Sequence, residues 1–134
     1  MTIYEEQVEE FHRVMELPLN SDFTKELLLL RRRVLEEEVK ELFQEVDAVL
    51  EAIEKGEEIP KSVRTNMLKE LADVQYALTG FSLTFGLPTK EVFSRVHQSN
   101  MSKLGPDGKP VKRADGKVTK GPNYRPPVLD DLVK

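Results

Sequence analysis

The residues of this chain best placed to do chemistry are acidic and fall in two short clusters. Glu37, Glu38 and Glu41 spell E-E-x-x-E, and Glu70 and Asp73 follow as E-x-x-D. On a helix, residues three or four apart project from the same side, so each cluster presents its carboxylates together. If the two helices pack antiparallel, Glu37, Glu38, Glu41, Glu70 and Asp73 converge on one locus. Such a group needs cations to hold it together. Hard oxygen ligands select Mg²⁺, with Mn²⁺ as a substitute, over zinc, in a chain with no cysteine and two histidines.

Either cluster alone is a weak signal, because glutamate-rich helices commonly present solvated charge. Glu38 strengthens it. The steps of three and four through Leu28, Arg31, Leu35, Glu38, Leu42, Val46, Val49 and Ile53 define one helix face. Glu38 stands in the middle of that line, where an unpaired carboxylate costs several kcal/mol to desolvate, so it calls for a cation or a metal. A di-iron carboxylate site requires two E-x-x-H motifs. Glu9 and His12 supply one, but Ser94 stands three residues before His97, which leaves that reading incomplete. His12 and His97 are read as structural or surface residues, and Arg31-Arg32-Arg33 as helix-face ion pairing.

The elements that must position these groups are helical. Ile3 to Met15 has helical apolar spacing and stops before Pro18. Asn20, Ser21 and Asp22 offer caps for a long helix from about Phe23 to Lys55, with Gly56 as its stop. Ser62 offers a cap for a third helix to Phe85, with Met67, Leu71, Val74, Leu78, Phe81 and Phe85 as its apolar face and Gly86 as its stop. A fourth runs from Lys90 to about Lys103. Beyond Leu104, Asp107-Gly108 and Asp115-Gly116 are turn dipeptides around short β-permissive pieces, giving a basic hairpin and a Pro-rich extended tail, expected to be mobile without a ligand or partner. The expected organisation is all-α, with a helical domain over 1–104 and a basic extension over 105–134 that completes the site or a subunit interface.

Net charge is −4 over 134 residues, so no overall basic field draws the chain to nucleic acid. The charge is unevenly spread: between Lys103 and Arg125 seven basic residues face Asp107 and Asp115, a local +5, which leaves about −9 on the rest. Lys120, Tyr124 and Arg125 in this segment are candidates to neutralise phosphate or stack on a base. No apolar run is long enough to span a bilayer, the N-terminus does not read as a signal peptide, and a cytoplasmic location is expected. Val39, Phe43 and Leu50 form a second apolar stripe on the long helix, more than one bundle needs, which points to self-association.

The order and spacing of E-E-x-x-E at Glu37, Glu38 and Glu41 and of E-L-A-D-V from Glu70 to Val74 resemble the all-α NTP pyrophosphohydrolase superfamily. That group includes MazG-like proteins, dimeric dUTPases and phosphoribosyl-ATP pyrophosphohydrolase. The resemblance runs from Leu27 to Pro127 and implies a four-to-five-helix MazG-like bundle, assembled as a homodimer or dimer of dimers. It implies hydrolysis of a nucleoside triphosphate between the α- and β-phosphates. Asn100 and Lys103 match an N-x-x-K motif that several branches use against the nucleotide. The acidic positions are similar to those of MazG-like dUTP-cleaving proteins, which implies a pyrimidine deoxynucleotide such as dUTP. The basic tail is uncommon in the histidine-biosynthesis enzymes that act on phosphoribosyl-ATP, the alternative substrate. Glu38 is the candidate to take the proton from water as well as to bind metal. A non-enzymatic helical oligomer that binds acidic partners through its tail explains the local +5 but not Glu38.

Overall fold

The computed structural model describes residues 1–133. The chain is all-helical, with α1 (Ile3–Val14), α2 (Lys25–Glu54), α3 (Lys61–Thr84) and α4 (Thr89–Met101), followed by a 3₁₀ turn at Asp130–Leu132. It forms two compact units, Met1–Leu87 and a second that begins at Pro88. Among the described residues no helix is long and apolar enough to cross a membrane.

In the first unit, α3 packs against both α2 and α1. Helix α1 opens with a reciprocal capping box: Glu5 N–H donates to Thr2 Oγ1 and Thr2 N–H donates to Glu5 Oε1, each at 3.2 Å. The expected cap of α2 lay at Asn20–Asp22, but Thr24 takes that place, with Leu27 N–H donating to its Oγ1 at 3.2 Å. Asn20 is employed elsewhere. At φ +52° its N–H reaches Leu83 O at 3.1 Å, and Ser21 N–H reaches Thr84 O at 2.7 Å, so this loop is tied to the end of α3. Pro60, not Ser62, precedes α3. Proline suits a helix start because it withdraws no donor the helix would use. Gly56 and Gly86 stop α2 and α3 with φ +65° and +61°. At Gly86 a Cβ would also stand 2.6 Å from Asn20 Oδ1.

The line from Leu28 to Val49 on α2 is half-buried, as its spacing implies, while Ile53 is exposed and the neighbouring Ala52 is buried. The buried face of α3 keeps part of the expected one: Phe85 is buried and Met67, Val74 and Phe81 are half-buried. Leu71 and Leu78 are about half exposed, and Glu70, Ala77, Gly80 and Thr84 turn inward. Small residues there bring helix axes close, and the apolar contribution comes from Val8, Ala52, Ala77 and Phe85. Phe85 packs between Phe23 and Phe81, with ring centroids 5.0 and 5.4 Å away. Phe43 and Leu50 on α2 are more than half exposed.

The second unit holds α4 and the tail. Lys112 and Val118 make a single antiparallel bridge around the Asp115-Gly116 turn, with Gly116 at φ +85°, so the expected hairpin is reduced to one bridge. The tail makes several contacts with α4. Arg95 forms a bidentate pair with Asp131 at 2.6 and 3.0 Å, Ser99 Oγ donates to Arg125 O at 2.7 Å, and Arg125 N–H donates to Ser102 Oγ at 2.9 Å.

Candidate metal centre

Three of the acidic residues meet between α2 and α3. One carboxylate oxygen from each of Glu38, Glu41 and Glu70 lies within 4.8 Å of the others. The two helices deliver them because Glu38 and Glu41 are one turn apart on α2, while Glu70 sits on the buried face of α3 at 8% exposure. Glu38 Oε2 and Glu70 Oε2 are buried and accept no hydrogen bond. Two buried oxygens of negative sign without a donor are unfavourable unless something positive meets them.

The electrostatics agree. Burial raises the pKa of Glu38 above its ordinary value, and the charges of Glu41, Asp73 and Glu70, in that order, raise it further, as does a hydrogen bond with the Glu41 carboxyl. Asp73 therefore belongs to the same electrostatic neighbourhood. Its Oδ2 is held by Lys69 Nζ at 2.7 Å, and the same ammonium is 3.6 Å from Glu70 Oε1. Lys69 supplies part of the positive charge from the exposed rim. Its own pKa is raised, first by the hydrogen bond to Asp73. Glu37 is exposed and lies outside the group of three.

These residues fit a divalent cation. The donors are all carboxylate oxygens, they stand within a few ångströms of one another, and two are orphaned where a cation would satisfy them.

A cavity of about 220 Å³ opens beside this cluster, lined from all three helices of the first unit, with Glu38 and Asp73 among its walls. Two residues that sequence reasoning set aside face it. Arg32 does pair along the helix, with Glu36 at 2.7 Å, but Arg31 is half-buried and its Nε has no partner. Burial lowers its pKa. His12 is 2% exposed, with Nδ1 3.0 Å from Pro18 O, a structural role as expected, whereas His97 is exposed. The signal for Arg31 was available: it stands two helical turns before Glu38 on the same stripe.

The remaining candidates lie in the second unit. Asn100 is exposed at the end of α4 and Lys103 is half-buried. Lys120 Nζ sits 4.7 Å from the centroid of the Tyr124 ring, so these two engage each other. Arg125 is anchored through its backbone, leaving its exposed side chain outside those bonds.

The family model for phosphoribosyl-ATP pyrophosphohydrolase matches residues 8–100, more than half of the chain. The chain belongs to that family. Membership in this branch of the all-α MazG-like superfamily supports a pyrophosphohydrolase, and places the carboxylate cluster within a group of enzymes that are generally dependent on divalent metal. The match takes in both acidic helices and ends at Asn100, before Lys103, Lys120, Tyr124 and Arg125. No curated protein matches the chain.

Proposed function

We propose that this pyrophosphohydrolase cleaves a nucleoside triphosphate to a monophosphate and pyrophosphate with Mg²⁺, and that a pyrimidine deoxynucleotide such as dUTP is its substrate. The observation that carries the metal-dependent cleavage is the pair of buried, unpartnered oxygens of Glu38 and Glu70 inside a three-carboxylate cluster, while the choice of base rests on the resemblance of the acidic positions alone. A triphosphate brings about four negative charges to the site, so the carboxylates cannot receive it bare.

Glu37, Glu38, Glu41, Glu70 and Asp73 are the proposed ligand set, with Glu38, Glu41 and Glu70 at its centre. Bound divalent ions supply charge neutralisation and acidify water. Glu38 takes the proton of the attacking water as the new P–O bond forms and the bond to the bridging oxygen breaks. Burial and the neighbouring carboxylates raise its pKa, which makes it a stronger base than an ordinary glutamate. Asn100, Lys103, Lys120, Tyr124 and Arg125 are proposed to bind the nucleotide, the cations by neutralising phosphate and Tyr124 by stacking. The exposed apolar side chains Phe43, Leu50, Leu71 and Leu78 support a homodimer or dimer of dimers as the working form. A cytoplasmic location completes the proposal.

The family match favours phosphoribosyl-ATP as a second reading. One experiment separates them: pyrophosphate release measured with Mg²⁺ across ribo- and deoxynucleoside triphosphates and phosphoribosyl-ATP. Turnover of dUTP above the others supports the first reading, and turnover of phosphoribosyl-ATP alone replaces it with the second. Release from no substrate with either Mg²⁺ or Mn²⁺ overturns both.

A further inference from the structure

The cavity beside the carboxylates has a second pole whose chemistry the metal reading does not use. On its floor is Gly80 of α3. A Cβ placed there would stand 3.3 Å from Arg31 Nη1 and 3.4 Å from His12 Nε2, so the guanidinium and the imidazole both pack against the glycine and line the same cavity. Arg31 offers donors only, and its buried Nε has none of its hydrogen-bonding capacity used. His12 offers the opposite. Its Nδ1 lies 3.0 Å from the Pro18 carbonyl oxygen, which can only accept, so Nδ1 carries the hydrogen and Nε2 of the neutral ring carries the lone pair.

A donor beside an acceptor reads one particular edge. We infer that Arg31 and His12 recognise the lactam edge of a nucleobase, a ring C=O next to a ring N–H, and so select oxo bases over amino bases. Uracil, thymine, guanine and hypoxanthine present that edge. With the sugar directed at the carboxylates and the base in that same orientation, cytosine and adenine present an amino group where the guanidinium donates and a bare ring nitrogen where the imidazole accepts, so both contacts fail. A phosphate in the same place would set the Nε2 lone pair against a negative oxygen. The cavity volume of about 220 Å³ is below the roughly 300–1,000 Å³ of pockets that enclose whole drug-sized ligands, and suits one ring system. Phe11 and Tyr76, in edge-to-face contact at 5.5 Å, supply an aromatic wall. Glu38 and Asp73 on another wall put the ring beside the carboxylates.

This inference rests on the reading that the chain cleaves nucleotides, and matched pairs test it separately. With the full chain and Mg²⁺, kcat/KM is measured for dUTP against dCTP and for dITP against dATP, each pair differing at the oxo or amino edge. A preference of about tenfold to a hundredfold for the oxo member, the range of one or two charge-assisted hydrogen bonds, and its loss in Arg31→Gln, support the assignment. Equal rates within each pair overturn it while leaving the pyrophosphohydrolase intact. Where no triphosphate is cleaved, calorimetry with dUMP and dCMP decides: tighter dUMP binding sustains the inference without the activity, and equal or absent binding ends it. The readout is a ratio within each pair, so a general loss of folded enzyme in Arg31→Gln cannot imitate a loss of preference, and an Arg31→Gln variant that keeps the full preference contradicts the assignment.

Discussion

Replacing Glu38 by glutamine should stabilise the metal-free protein and disable the enzyme. Glu38 is half-buried, and its Oε2 finds no donor; leaving a buried polar group unsatisfied costs about 1–3 kcal/mol. Its neighbours add repulsion. Two unit charges 4.8 Å apart repel by about 3.5 kcal/mol at an effective dielectric near 20, a value lowered here by Lys69 and by the solvent that reaches exposed Glu41. An amide at position 38 carries no charge and can donate to Glu41 or Glu70, so a net gain of about 1–2 kcal/mol is expected in EDTA at pH 8. For a chain of this size that is roughly 3–8 °C in melting temperature. With saturating Mg²⁺ the order should invert, because the wild type gains binding energy that the variant has lost. Disrupting groups that merely support metal ligands costs about 10–100-fold in activity or affinity, so losing a ligand should cost at least the upper end. Differential scanning fluorimetry with and without Mg²⁺, alongside pyrophosphate release, reads all of this. A variant that melts lower than wild type in EDTA, or that keeps its rate, refutes the placement of Glu38.

Three further outcomes follow from the same geometry. Because the pKa of Glu38 is raised in the fold, the metal-free protein loses stability as pH rises from the ordinary glutamate range through that raised value; since metal competes with the proton, the Mg²⁺-induced rise in melting temperature should be larger at pH 8 than at pH 5, and an equal rise at both contradicts this. Lys69→Met removes the ammonium at 2.7 Å from Asp73, so the melting temperature should fall in EDTA and recover with Mg²⁺, with kcat within about threefold of wild type by analogy with other exposed ion pairs of small energetic weight; a deficit that Mg²⁺ does not repair contradicts a purely electrostatic role. The combined variant Lys103→Ala, Lys120→Ala, Arg125→Ala keeps the backbone bonds of Arg125 and should raise the KM for nucleotide about tenfold or more, as expected from the loss of charge-assisted phosphate contacts, with an unchanged KM removing these side chains from binding.

The helical frame was legible because helix stops and amphipathic spacing are local. Gly56 and Gly86 end helices where a positive φ is required, and the stripe through Glu38 is half-buried along most of its length. What was not legible depended on partners distant in sequence. Asn20 is as good a cap as Thr24 by type, but its backbone is claimed by Leu83. On α3 the expected face holds at Met67, Val74, Phe81 and Phe85 and fails at Leu71 and Leu78, which outweigh Ala77, Gly80 and Thr84 in hydrophobicity although small residues are what close helix packing selects. The inward position of Glu70 followed from that correction. Arg31 was read with Arg32 and Arg33 as a charge run, although only its register with Glu38 separates it from them. The tail reads as a loop by composition, and its contacts with α4 come from pairs such as Arg95 with Asp131, which no local pattern announces.

The most direct test of the carboxylate centre is Mn²⁺ binding, followed by loss of the free-ion paramagnetic resonance signal, in wild type and in Glu70→Gln, with a non-hydrolysable triphosphate present. Saturable uptake by the wild type, with affinity lowered about a hundredfold or more in the variant, is the expected result. No uptake by the wild type, or equal uptake by both proteins, would contradict a metal held between α2 and α3.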